Sequence, residues 1–433
     1  LAGVYTTPAI HVTVRNVFTN TNSTSPYRGA GRPEAAYIIE SMADLAAKEL
    51  GLDKTEIRRR NIIPVDAMPF KTGLIYTYDC GEFEKNMDRV MEMIDYAGFE
   101  ARREEARTRS KLRGIAISNS IERAGAPFPE TVEIRFDPTG TVTIFAGTKD
   151  QGQGHDTMYK QLLSDKLGID TDDVRLVDGD TDKVTYGLGT FGSRSAIIGG
   201  SALHVAADKI IEKGTKIAAQ VLEAAEADIT FEDGQFRITG TDRSLDVQEI
   251  AKIAYNPIRM PKGIEPGFAE TGTFDLLQTT FPNGCHGVEV EIDEETGKTE
   301  LVSYYIVDDV GNVINPLMLK GQIYGGVVQG VGQALMEDIA FDPDSGQLLS
   351  GSFMDYAMPR ADDMCAMKVE SNPVVTKANP LGVKGAGEAG CVGALPAVIS
   401  AITDALSVYG IDYIEMPATA ERVWQAIQSA KAV

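Results

Sequence analysis

The chain has 433 residues, of which 43% are hydrophobic and 24% are charged, which excludes a disordered, collagen-like or coiled-coil protein. At roughly 100–200 residues per domain, this length predicts two or three domains. The 63 acidic and 41 basic residues give a net charge of −22, which disfavours nucleic acid as a partner because it repels polyanions at long range.

Membrane and metal signals are weak in the sequence. No apolar run of about 20 residues and no N-terminal secretory pattern stand out, so we expect no membrane span and a cytoplasmic location. The cysteines and histidines are scattered, without zinc or iron–sulfur spacing, which predicts free thiols and no protein-ligated metal. These residues are Cys80, Cys285, Cys365 and Cys391, and His11, His155, His204 and His286.

The sequence of the N-terminal part predicts one strand followed by a block of helices. Residues 6–18 are strand-like, and the chain enters them so directly from Leu1 that we expect an earlier part of a longer polypeptide to be missing. Pro33 at a first-turn position opens a predicted helix that runs to Leu50 and is stopped by Gly51. Two more helices are predicted over residues 54–61 and 82–96.

The composition changes at the charged residues 100–111, after which strands and helices alternate. Strands are predicted over residues 114–121, 131–136 and 141–145, and hairpins over residues 229–239 and over 287–293 with 299–307. We therefore predict an α+β fold of mixed sheets with flanking helices, divided into domains 1–96 and 97–433. A solvated helix inside a single domain explains the charged stretch as an alternative.

Glycine concentrates in three clusters, each just before a predicted helix. They cover residues 147–155, 187–195 and 382–390, and the helices are predicted over residues 159–167, 196–225 and 394–406. A glycine-rich turn that leads into a helix can bring backbone N–H groups to an anion, here with help from Arg194 and Lys384. One such cluster alone is explained by a tight loop, but three favour a large phosphate-bearing cofactor.

The clusters do not match the patterns of the common nucleotides. Neither the Walker sequence nor the Rossmann glycine pattern in its strand-to-helix context is present, which disfavours ATP and NAD. Glu388 is the only acid of the third cluster, and small residues surround it. It could be a base presented to a ligand or a carboxylate that caps the next helix, and its spacing does not decide between the two.

Read together, the motifs resemble the molybdopterin-binding subunit of the xanthine oxidase family of molybdenum hydroxylases. The residues that carry the resemblance are YRGAGRPE at 27–34, QGQGH at 151–155, GSRS at 192–195, DYAMPR at 355–360 and GAGEAG at 385–390. Within that family they are similar to the large chain of aerobic carbon monoxide dehydrogenase and its homologues. The resemblance covers the C-terminal half to three-fifths of such a subunit.

The resemblance implies a molybdopterin cytosine dinucleotide whose molybdenum carries oxo and sulfido ligands and is held through the dithiolene rather than by the protein. Taken alone, His155 is also consistent with a packed imidazole and Gln322 with a buried amide. By the resemblance, the residues that contact the cofactor are Gln151, Gly152, Gln153, Gly154, His155, Ser193, Arg194, Ser195, Gln322, Lys384, Gly385, Ala386 and Gly387.

The resemblance also assigns a catalytic residue and a substrate loop. Glu388 falls on the family's catalytic glutamate, the general base that removes a proton from the oxygen to be transferred. Tyr27, Arg28 and Gly29 fall on the substrate-side loop, where true carbon monoxide dehydrogenases carry a copper-binding cysteine at the position of Gly29. We therefore expect no copper, and an aldehyde or N-heterocycle as substrate. Arg28 either orients a polar group of that substrate or pairs with a buried carboxylate.

The implied activity is oxidative hydroxylation with water as the oxygen source. The alternatives are a non-catalytic fragment without cofactor and a genuine carbon monoxide dehydrogenase large chain. The implied partners are the N-terminal part of the subunit, an iron–sulfur subunit and an FAD subunit, because nothing in this chain could hold those redox centres. We expect a dimer of such heteromers, inactive without the missing parts.

Overall fold

A computed structural model of the chain describes residues 1–126 and 128–432 and contains two four-stranded sheets covered by helices. The helices are α1 (Arg32–Leu50), α2 (Lys54–Asn61), α3 (Phe83–Met93), α4 (Phe99–Thr108), α5 (His155–Leu167), α6 (Gly200–Val221), α7 (Val247–Ala254), α8 (Pro316–Leu335), α9 (Ala389–Leu406) and α10 (Ala420–Lys431). The strands are β1 (Phe70–Lys71), β2 (Thr77–Tyr78), β3 (Lys111–Ile121), β4 (Glu130–Phe136), β5 (Val142–Ala146), β6 (Val174–Asp178), β7 (Ile229–Glu232), β8 (Gln235–Ile238), β9 (Ser244–Asp246), β10 (Ala269–Phe274), β11 (Asn283–Asp293), β12 (Thr299–Asp309) and β13 (Met367–Ser371).

The sheet that we call the β4 sheet has the order β10-β4-β5-β6, with β5 and β6 parallel and the other pairs antiparallel. Helices α5, α6 and α7 bury their apolar faces against it in one continuous core. The β11 sheet has the order β13-β12-β11-β3, and only β12 and β13 run parallel. Mixed sheets with flanking helices confirm the predicted α+β class.

The β11 sheet is buried on both faces, which explains the nearly unbroken burial along β3 and β11. One face carries α8, α9 and α10, and α3 packs on the other with residues of the N-terminal segment. Helix α1 lies against α9, so the N-terminal helical block is built onto the same sheet as the later strands. The charged residues 100–111 form most of α4, which packs Phe99 and Ala106 inward beside β3.

Local capping explains where the N-terminal helices begin and end. Pro33 lies in the first turn of α1, and Gly51 ends the helix with a left-handed φ of 65°. Asp53 caps α2 by accepting hydrogen bonds from the backbone N–H groups of Thr55, at 2.8 Å, and Glu56, at 3.3 Å. The predictions for these two helices are confirmed.

Three sequence predictions are wrong in detail. Residues 6–18 form no strand: they are irregular and mostly exposed, because no other strand of the described chain pairs with them. The third helix is shorter than residues 82–96, since α3 ends before Asp95, which adopts a left-handed φ of 49°. The long helix predicted over residues 196–225 begins with a π-helical turn, Ser195–Gly199, and ends at Val221.

Helix α9 also corrects the expectation that no apolar run is long enough to cross a membrane. The stretch Ala389–Tyr409 is long and apolar enough to cross a membrane, but 78% of its most apolar 18-residue segment is buried inside the protein. A core helix can be equally long and apolar, so this single stretch is weak support for a membrane span.

The two sheets meet at a small apolar cluster formed by Ala124, Ile197, Ile198, Leu276 and Val383. Its members come from the segment after β3, the turn before α6, the segment after β10 and the segment before α9. Val383 belongs to the third glycine-rich segment, and Ile197 and Ile198 follow closely after the second. The junction of the two sheets is therefore the place where loops from both sheets can share one site.

Candidate active site

A single cavity of about 510 Å³ lies at the junction of the two sheets. All three glycine clusters contribute to its wall, together with the segment that joins β12 to α8. The described residues that line it are Arg28, Gln151, Gly152, Gln153, Gly154, His155, Met158, Thr190, Phe191, Gly192, Ser193, Ser195, Ala196, Val310, Asn312, Val313, Ile314, Asn315, Met318, Leu319, Gln322, Val383, Gly385, Ala386, Gly387 and Glu388. Clusters far apart in the sequence thus converge on one space.

The glycines allow this convergence because the loops touch backbone to backbone. A Cβ atom on Gly147 would lie 2.6 Å from the Cα of Gly187, so the first two clusters can meet only without side chains there. Gly385 has a φ of 85°, and a Cβ on it would lie 2.5 Å from the carbonyl oxygen of Ser193. The third cluster is therefore seated directly on the second.

Several backbone N–H groups of the first cluster are already occupied. The Asp150 carboxylate accepts from Gly152 at 2.8 Å, Gly154 at 3.3 Å and His155 at 3.1 Å. Burial raises the pKa of Asp150, but these donors outweigh it and hold that pKa below its ordinary value. The backbone N–H groups of Gly152, Gly154 and His155 are therefore not free to bind an anion, which limits the predicted anion binding by this loop. The donors left at the cavity include the side-chain amides of Gln151 and Gln153.

His155 both lines the cavity and is packed. Only 3% of the residue is exposed, and its ring meets that of Tyr159 edge to face at a centroid distance of 5.8 Å. Its Nδ1 lies 3.7 Å from the Asp178 carboxylate without a hydrogen bond. Burial lowers the pKa of His155, so the ring is neutral near pH 7.

Glu388 stands at the N-cap position of α9, yet its side chain accepts no hydrogen bond from that helix. Its carboxylate lies instead on the cavity wall, with Oε2 at 3.4 Å from Ser193 Oγ. The backbone N–H of Glu388 donates to the same Ser193 Oγ at 3.1 Å. The structure therefore disfavours the capping interpretation and places the carboxylate at the cavity, as the other interpretation requires.

Arg28 is held by hydrogen bonds to the neighbouring segments of the cavity wall. Its Nε donates to the carbonyl oxygen of Gly387 at 2.6 Å, and its Nη2 donates to the side-chain Oε1 of Gln322 at 3.1 Å. It pairs with no buried carboxylate in the described chain. Because Gln322 uses its oxygen to accept from Arg28, its amide NH₂ is the group left to face a ligand.

Two predicted cofactor contacts place their side chains elsewhere. Lys384 is fully buried and lies 2.5 Å from Asp309, and Arg194 is fully buried and lies 2.5 Å from Glu130. Neither lines the cavity. The prediction that these cations supply local positive charge to an anion is wrong, because each is neutralised by a buried carboxylate behind the loops.

Tyr27 and Gly29, which were predicted on the substrate loop, adjoin the cavity without lining it. The Tyr27 hydroxyl donates to the carbonyl oxygen of Gln329 on α8 at 3.3 Å. Gly29 has a φ of 105°, and a Cβ atom there would lie 2.5 Å from the Pro33 ring. Any side chain at this position, a cysteine included, would strain this backbone.

One residue close to Glu388 escaped sequence analysis. Glu122 follows β3 and is only 1% exposed, and it accepts a hydrogen bond from Ser193 Oγ at 2.7 Å. The sequence signal was an acid directly after a predicted strand. The sequence does not single out this acid, because the proximity of Glu122 to Glu388 arises only from the fold.

The residues around the cavity fit a pterin nucleotide. Side-chain amides of Gln151, Gln153 and Gln322 and the side-chain oxygen of Asn312 supply donors and acceptors, which suits the hydrogen-bonding edge of a pterin. The Asn315 amide is used within the protein, where it caps α8 and donates to Gln161. Gly152, Gly189 and Gly192 have positive φ and open space where a side chain would be, so the backbone can closely approach a ligand. No group of His, Cys, Asp and Glu able to hold a metal ion occurs in residues 1–126 and 128–432.

Comparison with known proteins agrees with this fit. The family described as "Molybdopterin cofactor-binding domain" matches residues 89–365, and a second family of the same description matches residues 1–62. The carbon monoxide dehydrogenase large chain of Hydrogenophaga pseudoflava is 34% identical over 99% of this chain and 55% of its own length. The nicotine 6-hydroxylase large subunit of Paenarthrobacter nicotinovorans is 36% identical over 98% and 53%.

A solved structure shows the same similarity in three dimensions. The carbon monoxide-reduced Cu,Mo-CO dehydrogenase superposes with a TM-score of 0.87 at 33% identity, covering 93% of this chain and 53% of its own. The chain spans about half the length of the curated relatives that it matches.

Proposed function

The chain belongs to the molybdopterin-binding family of molybdenum hydroxylase large subunits, and on that basis we propose that it forms the catalytic part of such a subunit. The reaction proposed is the oxidative hydroxylation of an aldehyde or N-heterocycle, with water as the oxygen source. The observation that carries the proposal is the convergence of three glycine-rich segments on one cavity whose wall presents the Glu388 carboxylate.

The proposed cofactor is molybdopterin cytosine dinucleotide, which when bound supplies a two-electron redox centre and an activated oxygen. Gln151, Gln153 and Gln322 would hold it through their amides, and the open backbone of Gly152 and Gly192 would let it approach closely. Ser195 and His155 complete the wall on the β4-sheet side. The donor chemistry of these residues supports the assignment.

Glu388 has the position of a general base. Its carboxylate lies on the cavity wall and is free of helix capping, so it is available to accept a proton from an oxygen in the cavity. Arg28 fixes the adjacent Gly387 carbonyl at 2.6 Å and so holds the strip that carries Glu388. Met158, Met318, Leu319 and Phe191 form an apolar part of the wall that limits water.

The substrate loop supports an organic substrate rather than carbon monoxide. No cysteine is found among the described residues that line the cavity, and Gly29 leaves no room for one beside Pro33. Copper(I) prefers soft thiolate ligands, so its absence from the enzyme is part of the proposal. The similarity to a nicotine hydroxylase supports an N-heterocycle.

We propose further that activity needs parts beyond this chain. Because the chain spans about half of its curated relatives, an N-terminal part of the same subunit would complete the site. Iron–sulfur and FAD subunits would carry the electrons onward, in a cytoplasmic dimer of heteromers. The separate family matches over residues 1–62 and 89–365 support the division into domains 1–96 and 97–433.

The test is cofactor analysis of the complete enzyme, purified with its natural partners. We expect molybdenum and CMP in near-equal amount to the large subunit. Glu388→Gln should keep both and lower turnover by roughly 10²–10⁴-fold, because it removes the general base and preserves the shape of the site. Glu415→Gln, a change at an exposed glutamate, is the matched control and should leave turnover normal.

Two results would contradict the proposal. Complete enzyme without molybdenum or CMP would favour a fragment that folds without cofactor. Near-normal turnover of Glu388→Gln at full cofactor content would remove Glu388 from its role and leave the cofactor assignment intact.

A further inference from the structure

Glu122 is close to Glu388 through Ser193 but does not line the first cavity. It directly follows β3, and its backbone N–H donates to the carbonyl oxygen of Pro282 at 2.8 Å, which fixes the main chain. It also lines a second cavity of about 500 Å³, beside Arg32 and Arg123. Glu388 lines the first cavity, so the two carboxyl groups occupy adjacent walls of two separate spaces.

Ser193 joins the two acids through one hydroxyl group. Its Oγ donates to Glu122 Oε1 at 2.7 Å and lies 3.4 Å from Glu388 Oε2. Ser193 holds this position with a left-handed φ of 54°, which a non-glycine residue adopts only when its surroundings require it. One hydroxyl proton cannot satisfy both carboxyl groups, so this cluster of two acids and one hydroxyl needs a second proton.

The Glu122 carboxyl shows where that proton lies. Its Oε2 is buried and lacks a hydrogen-bond partner within the described chain, while its Oε1 and the Glu388 carboxyl share the Ser193 hydroxyl. Burial, and next the charge of Glu388, raise the pKa of Glu122 well above its ordinary value. Two like charges this close, one of them buried, cannot both persist.

The charged groups around Glu122 do not remove this effect. Arg32, at the start of α1, acts to lower its pKa but is outweighed. Arg123 lies on the same cavity with its guanidinium 5.9 Å from the ring of Tyr76. Glu40, also on that cavity, is already paired with Arg58 at 2.8 Å. Arg28 is engaged with Gly387 and Gln322 on the other side of Glu388.

We propose that Glu122 is a positioning residue that remains protonated, donates its carboxyl O–H to Glu388, and so holds the Glu388 side chain in place at the cavity wall. The proposed proton is placed on Oε2, which has no other partner in the described chain, while Oε1 accepts from Ser193. This inference rests on the proposed function of Glu388 as a base. It adds a neutral acid that supports that base and never touches the substrate.

Two variants at position 122 of the complete enzyme test the role. Glu122→Gln keeps the shape and a donor for Glu388, whereas Glu122→Leu keeps the bulk and removes the donor. We expect Glu122→Gln to retain roughly 10–100-fold more kcat than Glu122→Leu, because a hydrogen bond to a charged group is lost only in the latter. The alkaline limb that ionisation of Glu122 gives to the kcat pH profile should be missing in Glu122→Gln.

Infrared spectroscopy of glutamate-labelled protein gives a readout that does not depend on turnover. A protonated carboxyl C=O band should be present near neutral pH and lost in both variants. Ser193→Gly is a second probe, because glycine accepts the positive φ and only the bridging hydroxyl is removed. It should shift the same band by removing the donor to Glu122 Oε1.

The result that would overturn the inference is the absence of this band in the parent enzyme, or equal loss of kcat in Glu122→Gln and Glu122→Leu with an unchanged pH profile. If Glu122→Leu fails to fold, the infrared band of the parent enzyme and its response to Ser193→Gly still test the role of Glu122. A missing band in enzyme that holds molybdenum and depends on Glu388 would reject the role of Glu122 alone. Failure of the proposed function would appear instead as missing molybdenum or an active Glu388→Gln variant.

Discussion

Buried ionisable side chains surround the candidate site, and most of them are neutralised in pairs. Lys384 with Asp309 and Arg194 with Glu130 are fully buried pairs with N–O distances of 2.5 Å. Each pair fixes a glycine-rich segment from behind, so removing one partner would leave an uncompensated buried charge. These cations stabilise the loops and leave the ligand to backbone and amide groups.

Asp308, like Glu122, is a buried acid without a close cation partner among the described residues, and its protonation should make stability depend on pH. Burial, and next the charge of Asp309, raise the pKa of Asp308 to about 7, while burial lowers the pKa of the nearby His286 to about 3. An unfolded chain ionises aspartate near pH 4, so above that pH the folded state holds a proton that the unfolded state has lost. Stability from this group is therefore lost as the pH rises from about 4 to about 7.

We expect Asp308→Asn to flatten this dependence by up to ~1.4 kcal/mol per pH unit within that window, because asparagine does not ionise. The measurement is the free energy of unfolding against pH for the parent and the variant. Asp242→Asn, at an exposed aspartate, should follow the parent curve. Parallel curves for Asp308→Asn and the parent would show that Asp308 is ionised when folded.

At the scale of elements, glycines set the distance between the two helices that flank the site. A Cβ atom on Gly326 of α8 would lie 2.9 Å from the backbone nitrogen of Cys391 on α9. The reciprocal Cβ on Gly390 would lie 2.3 Å from the carbonyl oxygen of Ile323. The helices therefore touch backbone to backbone, which places Gln322 and Glu388 on the same cavity.

Two alanine substitutions in α8 should have opposite effects on stability. Gly326→Ala should destabilise by about 1–3 kcal/mol, because the added methyl group forces the helices apart. Gly321→Ala meets no atom within 4 Å and should stabilise by about 0.5–1 kcal/mol through the better helix propensity of alanine. Denaturant unfolding of both variants measures the difference, and equal effects would show that α8 and α9 are not in close contact.

At the scale of the whole molecule, the site exists only where the two sheets meet. The β4 sheet supplies the loops before α5 and α6, and the β11 sheet supplies the segments before α8 and α9. The substrate loop before α1 closes one side through Arg28. We therefore expect the substrate class of the complete enzyme to depend on this loop and on the absence of a thiolate in it.

We expect the complete enzyme, loaded with molybdenum and exposed to copper(I), to hydroxylate an N-heterocycle and to leave carbon monoxide unoxidised. The reason is that Gly29 gives copper no soft ligand and leaves no space for one. Dye reduction under carbon monoxide measures this, with the carbon monoxide dehydrogenase of Hydrogenophaga pseudoflava as the positive control. A robust rate with carbon monoxide would reverse the proposed substrate class.

The sequence by itself determined features that depend on neighbouring residues. The ends of α1 and α2 follow from Pro33, Gly51 and Asp53, whose capping acts within a turn. The family follows from short motifs, each of which consists of consecutive residues and can be recognised without knowledge of the fold. The strand predicted over residues 6–18 does not form, which shows the limit of prediction from local sequence. A strand forms only if a partner strand pairs with it, and the local sequence does not show whether a partner exists.

Only the tertiary structure decided which side chains face the cavity and which are used behind it. Lys384 and Glu388 lie four residues apart, yet Lys384 is buried against Asp309 and Glu388 lines the cavity. Glu122 became visible as a partner of Glu388 only through Ser193, which is distant from both in sequence. The physical reason is that burial, charge pairing and proton sharing depend on contacts across the chain, which local sequence patterns do not contain.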